Sequence, residues 1–413
     1  MPAVTFLLAL YAAVALAYWL WCLRAAVRMR RSVPALEAFD PPPGPVPRLS
    51  VIVAARDEAE TIEPAARTLL AQDDLDLEIV LVDDRSADGT GALIDRLAAE
   101  DGRVRAVHVT DLPEGWLGKV HALARGVAEA TGDFLLFTDA DIHFAPGALR
   151  RAVAWGEARG LDHLAALPSL RSSGLWVDTV IATFLRSFLA TMRPWAVGDP
   201  DSSAFIGVGA FNLVRRSAFE RTPGLEWLRM ETADDCGLGL MMKASGARCG
   251  VVTAFDLVHL TWYGSLGDAA RGAEKAYASV AGCRLWRTVL GALVMLAMGV
   301  APAAGVVAAA VAPANPAAWA LAGVAPLSVV TGGLMARWGR RTGLLRSLLG
   351  PLVLGPLVAP INAAAYVRAG ILGWVRGGVQ WRGTVYPSAA LRAGRRVRLP
   401  PPRRLPDLTP PRH

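Results

Sequence analysis

Lysine is almost missing from this chain: 3 residues stand against 40 arginines in a length of 413. Residues 1–23 carry no charge, and no acidic side chain occurs between Glu274 and Asp407. The four cysteines, Cys22, Cys236, Cys249 and Cys283, have neither CxxC spacing nor a paired pattern. That excludes a disulfide framework, and they read as reduced thiols. Motifs of RNA- or DNA-binding proteins are absent too, so a pI of 9.6 does not point to nucleic acid.

What is present is an apolar chain with unevenly placed charge. It is 53% hydrophobic with a mean hydropathy of +0.35, more than an ordinary soluble enzyme carries. Between residues 45 and 280 there are 33 acidic and 23 basic residues, a net of −10; outside that window 3 acidic and 20 basic residues give +17. The basic residues flank apolar segments, which suits anionic phospholipid. Residues 1–23 are long enough, at ~1.5 Å per residue, to cross a ~30 Å hydrocarbon core. Arg24, Arg28, Arg30 and Arg31 follow this run instead of preceding it. That order favours an uncleaved anchor, N-terminus outside, with the next domain in the cytosol.

Near the other end, 288–311 and 316–336 are each long enough to span, and the break "APANP" between them makes a hairpin. The loop "RWGRRTGLLR" after them is basic and is expected in the cytosol. A third run, 347–373, is interrupted by Pro351, Pro356 and Pro360 and has basic sequence at both ends. One crossing cannot leave both ends in the cytosol, so a re-entrant or interfacial segment is favoured, with a single tilted crossing as the alternative. The expected organisation is an anchor at 1–23, a basic, proline-rich linker at 24–47 and a cytosolic domain at 48–287. A transmembrane or re-entrant region at 288–374 and a basic cytosolic tail at 375–413 complete it. This describes a multi-pass protein of the cell (plasma) membrane.

From residue 49 the pattern is strand, helix, strand. "LSVIVAA", "LEIVLVDD", "VRAVHVT" and "DFLLFTDAD" are apolar strands, and "TIEPAARTLLAQ", "GTGALIDRLAAE" and "GKVHALARGVAEA" between them have helical period. This alternation predicts a mostly parallel sheet with helices on both faces. Ligands bind such sheets at the carboxyl ends of the strands. The acids fall there: Asp57 and Glu58, then Asp83 and Asp84, then Asp139 and Asp141. Two carboxylates one residue apart disfavour each other's ionisation unless a cation sits between them. Mg²⁺ and Mn²⁺ favour such oxygen ligands. The bland alternative is a solvated turn before the next helix.

Four pieces in order, "VIVAARDEAETI", "IVLVDDRSADGT", "GDFLLFTDADIHFAPGAL" and "ETADDCGLGLMMKASG", resemble motifs of the family 2 glycosyltransferases. The likeness covers roughly residues 48–280 and implies the GT-A nucleotide-diphospho-sugar fold, an α/β domain, here with transmembrane helices before and after it. The layout resembles the membrane-anchored branch of ceramide glucosyltransferase, the hopene-associated glycosyltransferase and carotenoid glycosyltransferases. Asp57 stands where the family often has Asn, and an Asp-Asp pair replaces Glu-Asp in the last motif. The QxxRW motif of many membrane members is not intact: "CRLWR" and "VQWRG" are degenerate echoes, which argues against processive polymer synthesis.

The resemblance implies roles for single residues. Asp139 and Asp141 hold a divalent cation, Mg²⁺ or Mn²⁺, with Asp139 also near the nucleotide sugar. Glu58, Asp57, Asp83 and Asp84 bind the nucleotide sugar, and Asp235, with Asp234 beside it, serves as catalytic base. Lys119, at a helix start where the dipole disfavours a cation, suits a diphosphate. His143 is a possible third ligand, though a loop histidine is more often solvated. Gly207 and Gly209 in "FIGVGAF" would let backbone approach a sugar or acceptor closely. Trp262, Tyr263, Trp381 and Arg382 are acceptor-side candidates, against the plain reading of aromatics at a membrane interface.

The implied activity moves a sugar from a nucleotide donor, a UDP-sugar ahead of a GDP-sugar, to a lipid hydroxyl with inversion. Two alternatives stand beside it: a polyprenyl-phosphate glycosyltransferase, and a transporter or scaffold with an inactive transferase-like domain. The C-terminal apolar runs contain no Asp, Glu, Lys or His, which argues against ion-coupled transport.

Overall fold

The computed structural model describes residues 2–339, 354–402 and 404–408. The chain divides into two compact units. One comprises Val33–Ser169, Pro194–Leu260 and Ala389–His413; the other comprises Met1–Ser32, Leu170–Arg193 and Thr261–Ser388.

The first unit is built on eight strands: β1 (Leu49–Ala55), β2 (Leu77–Asp84), β3 (Val104–Val109), β4 (Phe134–Asp139), β5 (His143–Phe144), β6 (His163–Leu170), β7 (Asn212–Arg215) and β8 (Cys249–Leu260). They lie in the order β3-β2-β1-β4-β7-β6-β8-β5. β3, β2, β1 and β4 are parallel neighbours; β7 runs antiparallel to β4, β6 to β7 and β5 to β8. Inner parallel strands are covered on both faces and therefore show no alternation. Ile79, Val80, Leu81 and Val82 of β2 are all fully buried, each contributing about 1.5–3 kcal/mol.

Helices α2 (Ile62–Leu70), α3 (Thr90–Glu100), α4 (Gly118–Glu129), α5 (Ala148–Arg159), α7 (Arg216–Phe219) and α8 (Asp234–Ala244) belong to the same unit. α2 buries Ile62, Ala65, Ala66 and Leu69, one stripe at helical spacing. The strand register sets the rim. Ala55 pairs with Asp83 and Ala54 with Asp139, so the acidic ends of β2 and β4 finish level on either side of β1. The parallel sheet with acids at its carboxyl rim is as the sequence predicts.

The second unit holds α1 (Pro2–Ser32), α6 (Leu175–Met192), α9 (Leu266–Ala281), α10 (Leu285–Val311), α11 (Pro316–Ala322), α12 (Val324–Gly339), α13 (Gly355–Val375) and the hairpin β9 (Gly378–Trp381) with β10 (Thr384–Pro387). A last helix, α14 (Ser388–Gly394), carries the chain into its C-terminal segment. Among the described residues, five helical stretches are long and apolar enough to cross a membrane: Ala3–Ser32, Leu175–Ala196, Leu285–Val311, Pro316–Met335 and Gly355–Val375. Ala12, Ala15 and Trp19 of α1 pack with Met298, Ala301, Leu321 and Val324, and the Trp19 indole donates to the Met298 carbonyl at 3.1 Å. A Cβ on Gly299 would collide with Ala359, and one on Gly305 with the Leu321 backbone; small residues let these helices close on one another.

Three details differ from expectation. α1 continues to Ser32, so Arg24–Arg31 lie on the helix and not in a linker. "RAAVRMRR" consists mostly of strong helix formers, and no Gly or Pro occurs between Pro2 and Pro34. α6 was not anticipated as an apolar segment at all. α13 runs unbroken through Pro360, with Pro356 in its first turn, where proline is tolerated. The beginning of the third apolar run, with Pro351, and most of the basic loop before it lie outside the described residues.

Candidate active site

The rim gathers its charges from three elements. β4 ends on Asp139, whose N–H donates to the Gly209 carbonyl at 3.1 Å. Lys119 sits in the first turn of α4. Asp234 and Asp235 open α8, where the helix dipole favours carboxylates. Lys119 Nζ lies 2.6 Å from Asp139 Oδ1 and 3.1 Å from Asp234 Oδ2. Burial alone would lower the lysine's pKa; Asp139, Asp234 and Asp235 reverse that and hold it above its ordinary value. These carboxylates, present before any phosphate binds, offset the cost of a cation at a helix start.

Gly209 lies between the two acids. A Cβ there would stand 2.7 Å from Asp139 Oδ2 and 3.6 Å from Asp235 Oδ2. Its N–H donates to Asp235 Oδ2 at 3.1 Å, while Asp235 Oδ1 accepts from Cys236 N at 2.8 Å. A Cβ on Gly207 would collide with the Asp235 carbonyl. Gly207 is thus required by the close approach of this segment to α8, and Gly209 by its approach to Asp139 at the end of β4. Lys119, Asp139, Gly209, Asn212, Asp234 and Asp235 line one cleft.

Asp141 follows two residues on. Burial pushes its carboxyl up, with Asp139 and Glu58 adding like-charge repulsion, to about 7. Among the described residues no group of three or more His, Cys, Asp or Glu side chains forms a ready-made metal cage. His143 lies in β5, opposite His259. A crowded carboxylate pair with too few ligands for a closed site fits a cation that completes its shell from phosphate oxygens and water.

The other strand-end acids organise the neighbouring loops. Asp57, at φ +53, accepts from Ala87 N at 2.8 Å, and its own N–H donates to Ser86 Oγ at 3.0 Å. Glu58 N–H donates to Thr90 Oγ1 at 2.8 Å, and Glu58 Oε2 accepts from Thr61 Oγ1 at 2.7 Å. Asp83 accepts from Ser86 N at 3.2 Å and lies 3.3 Å from His108 Nδ1. Asp84 takes a two-point contact from Arg85, at 2.8 and 3.1 Å.

The aromatic acceptor-side candidates belong to the other unit. Trp262 and Tyr263 stack at 5.3 Å, and Phe184 meets Trp262 edge-on at 5.8 Å. Trp381 carries Lys275 Nζ 4.4 Å from its ring centre. Arg382 and Gly383 form the two-residue turn of the β9–β10 hairpin, both with positive φ.

Sequence reasoning missed what supports Asp235 from behind. Asn212 Nδ2 donates to the Asp235 carbonyl at 3.1 Å, and its Oδ1 lies 2.6 Å from Nε2 of buried His163. Burial pushes His163 down to about 4, so it is neutral and donates through Nε2. The pairing of β6 with β7 brings His163 to Asn212 and the packing of α8 brings Asp235, and no spacing in the sequence signals either.

Residues 50–222 match the family model described as Glycosyl transferase family 2. The succinoglycan biosynthesis protein ExoO of Rhizobium meliloti is 37% identical over 115 residues, 28% of this chain and 31% of that protein. The GalNAc(5)-diNAcBac-PP-undecaprenol beta-1,3-glucosyltransferase of Campylobacter jejuni is 33% identical over 104 residues, 25% of this chain and 33% of that one. The chain thus spans about a third of the length of these relatives. Among solved structures, the mannosyltransferase PcManGT from Pyrobaculum calidifontis, in complex with GDP-Man and Mn²⁺, aligns with a TM-score of 0.50 at 20% identity. That alignment covers 89% of this chain and 99% of the other, and it is a likeness of fold. Over residues 50–222 the chain is a family 2 glycosyltransferase domain, built on the GT-A fold.

Proposed function

We propose that this protein transfers a sugar, with inversion, from a nucleotide-diphosphate donor to the hydroxyl of a lipid at the cytosolic face of the cell membrane. The observation that carries the reading is the gathering of Lys119, Asp139, Asp234 and Asp235 around Gly209 in one cleft at the sheet's carboxyl rim.

Asp139 and Asp141 would hold Mg²⁺ or Mn²⁺, which supplies Lewis-acid stabilisation to the departing diphosphate. Lys119 brings a fixed positive charge beside Asp139. Asp57, Glu58, Asp83 and Asp84 frame the nucleoside end of the site. Asp235 accepts the acceptor's hydroxyl proton as that oxygen bonds to the anomeric carbon. The bond from that carbon to the diphosphate oxygen breaks, and the nucleoside diphosphate leaves on the opposite side. Asp234 is committed to Lys119 at 3.1 Å, which leaves Asp235 as the base. The basic, apolar flanks and the undecaprenol-linked substrate in one relative's name support a lipid acceptor.

The test is product analysis. Membranes containing the protein are given labelled UDP- and GDP-sugars with total lipid. Label in a neutral glycolipid, with a UDP-sugar the better donor, is expected. Label in a phosphate-linked sugar would replace this reading with the polyprenyl-phosphate one.

A further inference from the structure

Glu231 lies three residues before α8 and is completely buried. Its Oε1 accepts from Ala233 N at 2.8 Å, inside the turn that leads to Asp234. Its Oε2 accepts two backbone N–H groups from the far end of the chain, Arg396 N at 2.6 Å and Val397 N at 2.8 Å. The same short segment holds the preceding turn at two further points. Arg396 Nε donates to the Trp227 carbonyl at 3.0 Å, with its guanidinium 5.1 Å from the centre of the Trp227 ring. Gly394 is pressed on Met230 so closely that a Cβ there would collide with it. All of these residues lie in the transferase unit.

A carboxylate without water must have its charge met by donors. Two of the three N–H groups that meet Glu231 come from the tail. Without the tail, Oε2 would be left buried and unmet, and the turn 227–233 would have to rearrange to reach water. That turn sets the first residues of α8.

We propose that Gly394–Val397 is a strap that holds the acidic start of α8 in register, with Glu231 as the positioning residue through which it acts. The proposal rests on the reading of Asp235 as the base. Asp234 at the start of α8 is paired with Lys119 at 3.1 Å, and the turn's Arg229 carbonyl accepts from Leu117 N at 2.7 Å, so the strap governs transfer first and reaches donor binding only through Lys119.

The test uses the full chain in its membrane with three changes. Gly394→Val adds bulk against Met230 and alters no charge. Glu231→Gln keeps the shape and removes one acceptor oxygen. Truncation after Ala393 removes the strap. Each is expected to speed amide exchange over 232–237 while β1, β2 and β4 stay protected. Each should also lower kcat by about 10²-fold, the scale of a misplaced catalytic group, with a much smaller change in donor KM, transmitted through the Asp234–Lys119 pair. A peptide of residues 388–408 added to the truncated chain should restore rate and protection. Unchanged exchange with kcat within twofold would overturn the strap. So would a loss of donor affinity and of protection throughout the sheet, which marks a merely structural contact. If the unaltered protein transfers no sugar at all, the functional reading fails, and the exchange measurement still decides the strap.

Discussion

Asp139 and Asp141 end an apolar strand with two carboxylates in a partly water-excluded place, and Asp141 is driven up to about 7 by burial, Asp139 and Glu58. Asp139→Asn or Asp141→Asn relieves that repulsion and removes a proposed metal ligand, so each variant should stay folded and lose Mn²⁺-dependent binding of a nucleoside diphosphate. Calorimetric titration measures this, and unchanged affinity in both variants would remove the site. Asp235→Asn keeps the side chain's shape and one of its two acceptor oxygens, so it retains a partner for only one of Gly209 N and Cys236 N, and it cannot take a proton. It should bind donor normally and lose transfer by ~10²-fold or more; near-normal transfer in a radiolabel assay would place the base elsewhere. The carboxylates were legible because a strand-end acid interrupts an apolar run, a local signal. Asn212, His163 and Glu231 were not, because each reaches its partner through strand pairing or a tail contact, and Glu231 is met by backbone of residues 165 and 166 positions away.

At the scale of elements, the site depends on how closely residues 205–211 run against α8. A Cβ on Gly207 would collide with the Asp235 carbonyl, and one on Gly239 with the Ile206 carbonyl. Backbone cannot give way as a side-chain tip can, so Gly207→Ala must displace the start of α8. Overpacking of this kind costs about 1–3 kcal/mol. The unfolding midpoint should fall and transfer should drop further than donor affinity; a variant with normal midpoint and rate would show that the approach is looser than drawn. Strands β1 to β4 and helices α2 to α4 could be read from period and strand-end acids, since each carries its own burial pattern. α6 could not. Asp178 and Arg186 dilute its apolar run, and Asp178 is instead engaged locally by the Ser173 N–H at 3.0 Å. α13 was read as broken because proline usually ends a helix, yet Pro360 lies within it.

For the whole molecule, connectivity limits how the apolar helices can use a membrane. β6 and β7 flank α6 in the chain and pair in one sheet, Leu164 opposite Leu213. The chain therefore leaves and returns on the same side, and α6, the one apolar helix in that interval, cannot be a single crossing. The same parity governs Thr261–Ser388. β8 precedes this interval, and the Glu231-bound segment Arg396–Val397 follows it in the same compact unit, so the number of crossings between them is even. Among the described residues, α10, the α11–α12 pair and α13 offer three candidates. On the proposed topology, with the basic sequence at 337–346 inside, the uncharged turn after α10 makes α10 and α11–α12 the two crossings. α13 must then enter and leave on the cytosolic side. Single cysteines at Ala99, Ala314, Arg346 and Gln380 test this with a membrane-impermeant thiol reagent, and background is low because all four native cysteines are buried. The cysteine at 314 should label in intact cells, and those at 99, 346 and 380 only after the cells are opened. Labelling of 346 and 380 from opposite faces would make α13 a true crossing, and would require the tail to leave Glu231 or one of the other two helices to stay out of the bilayer.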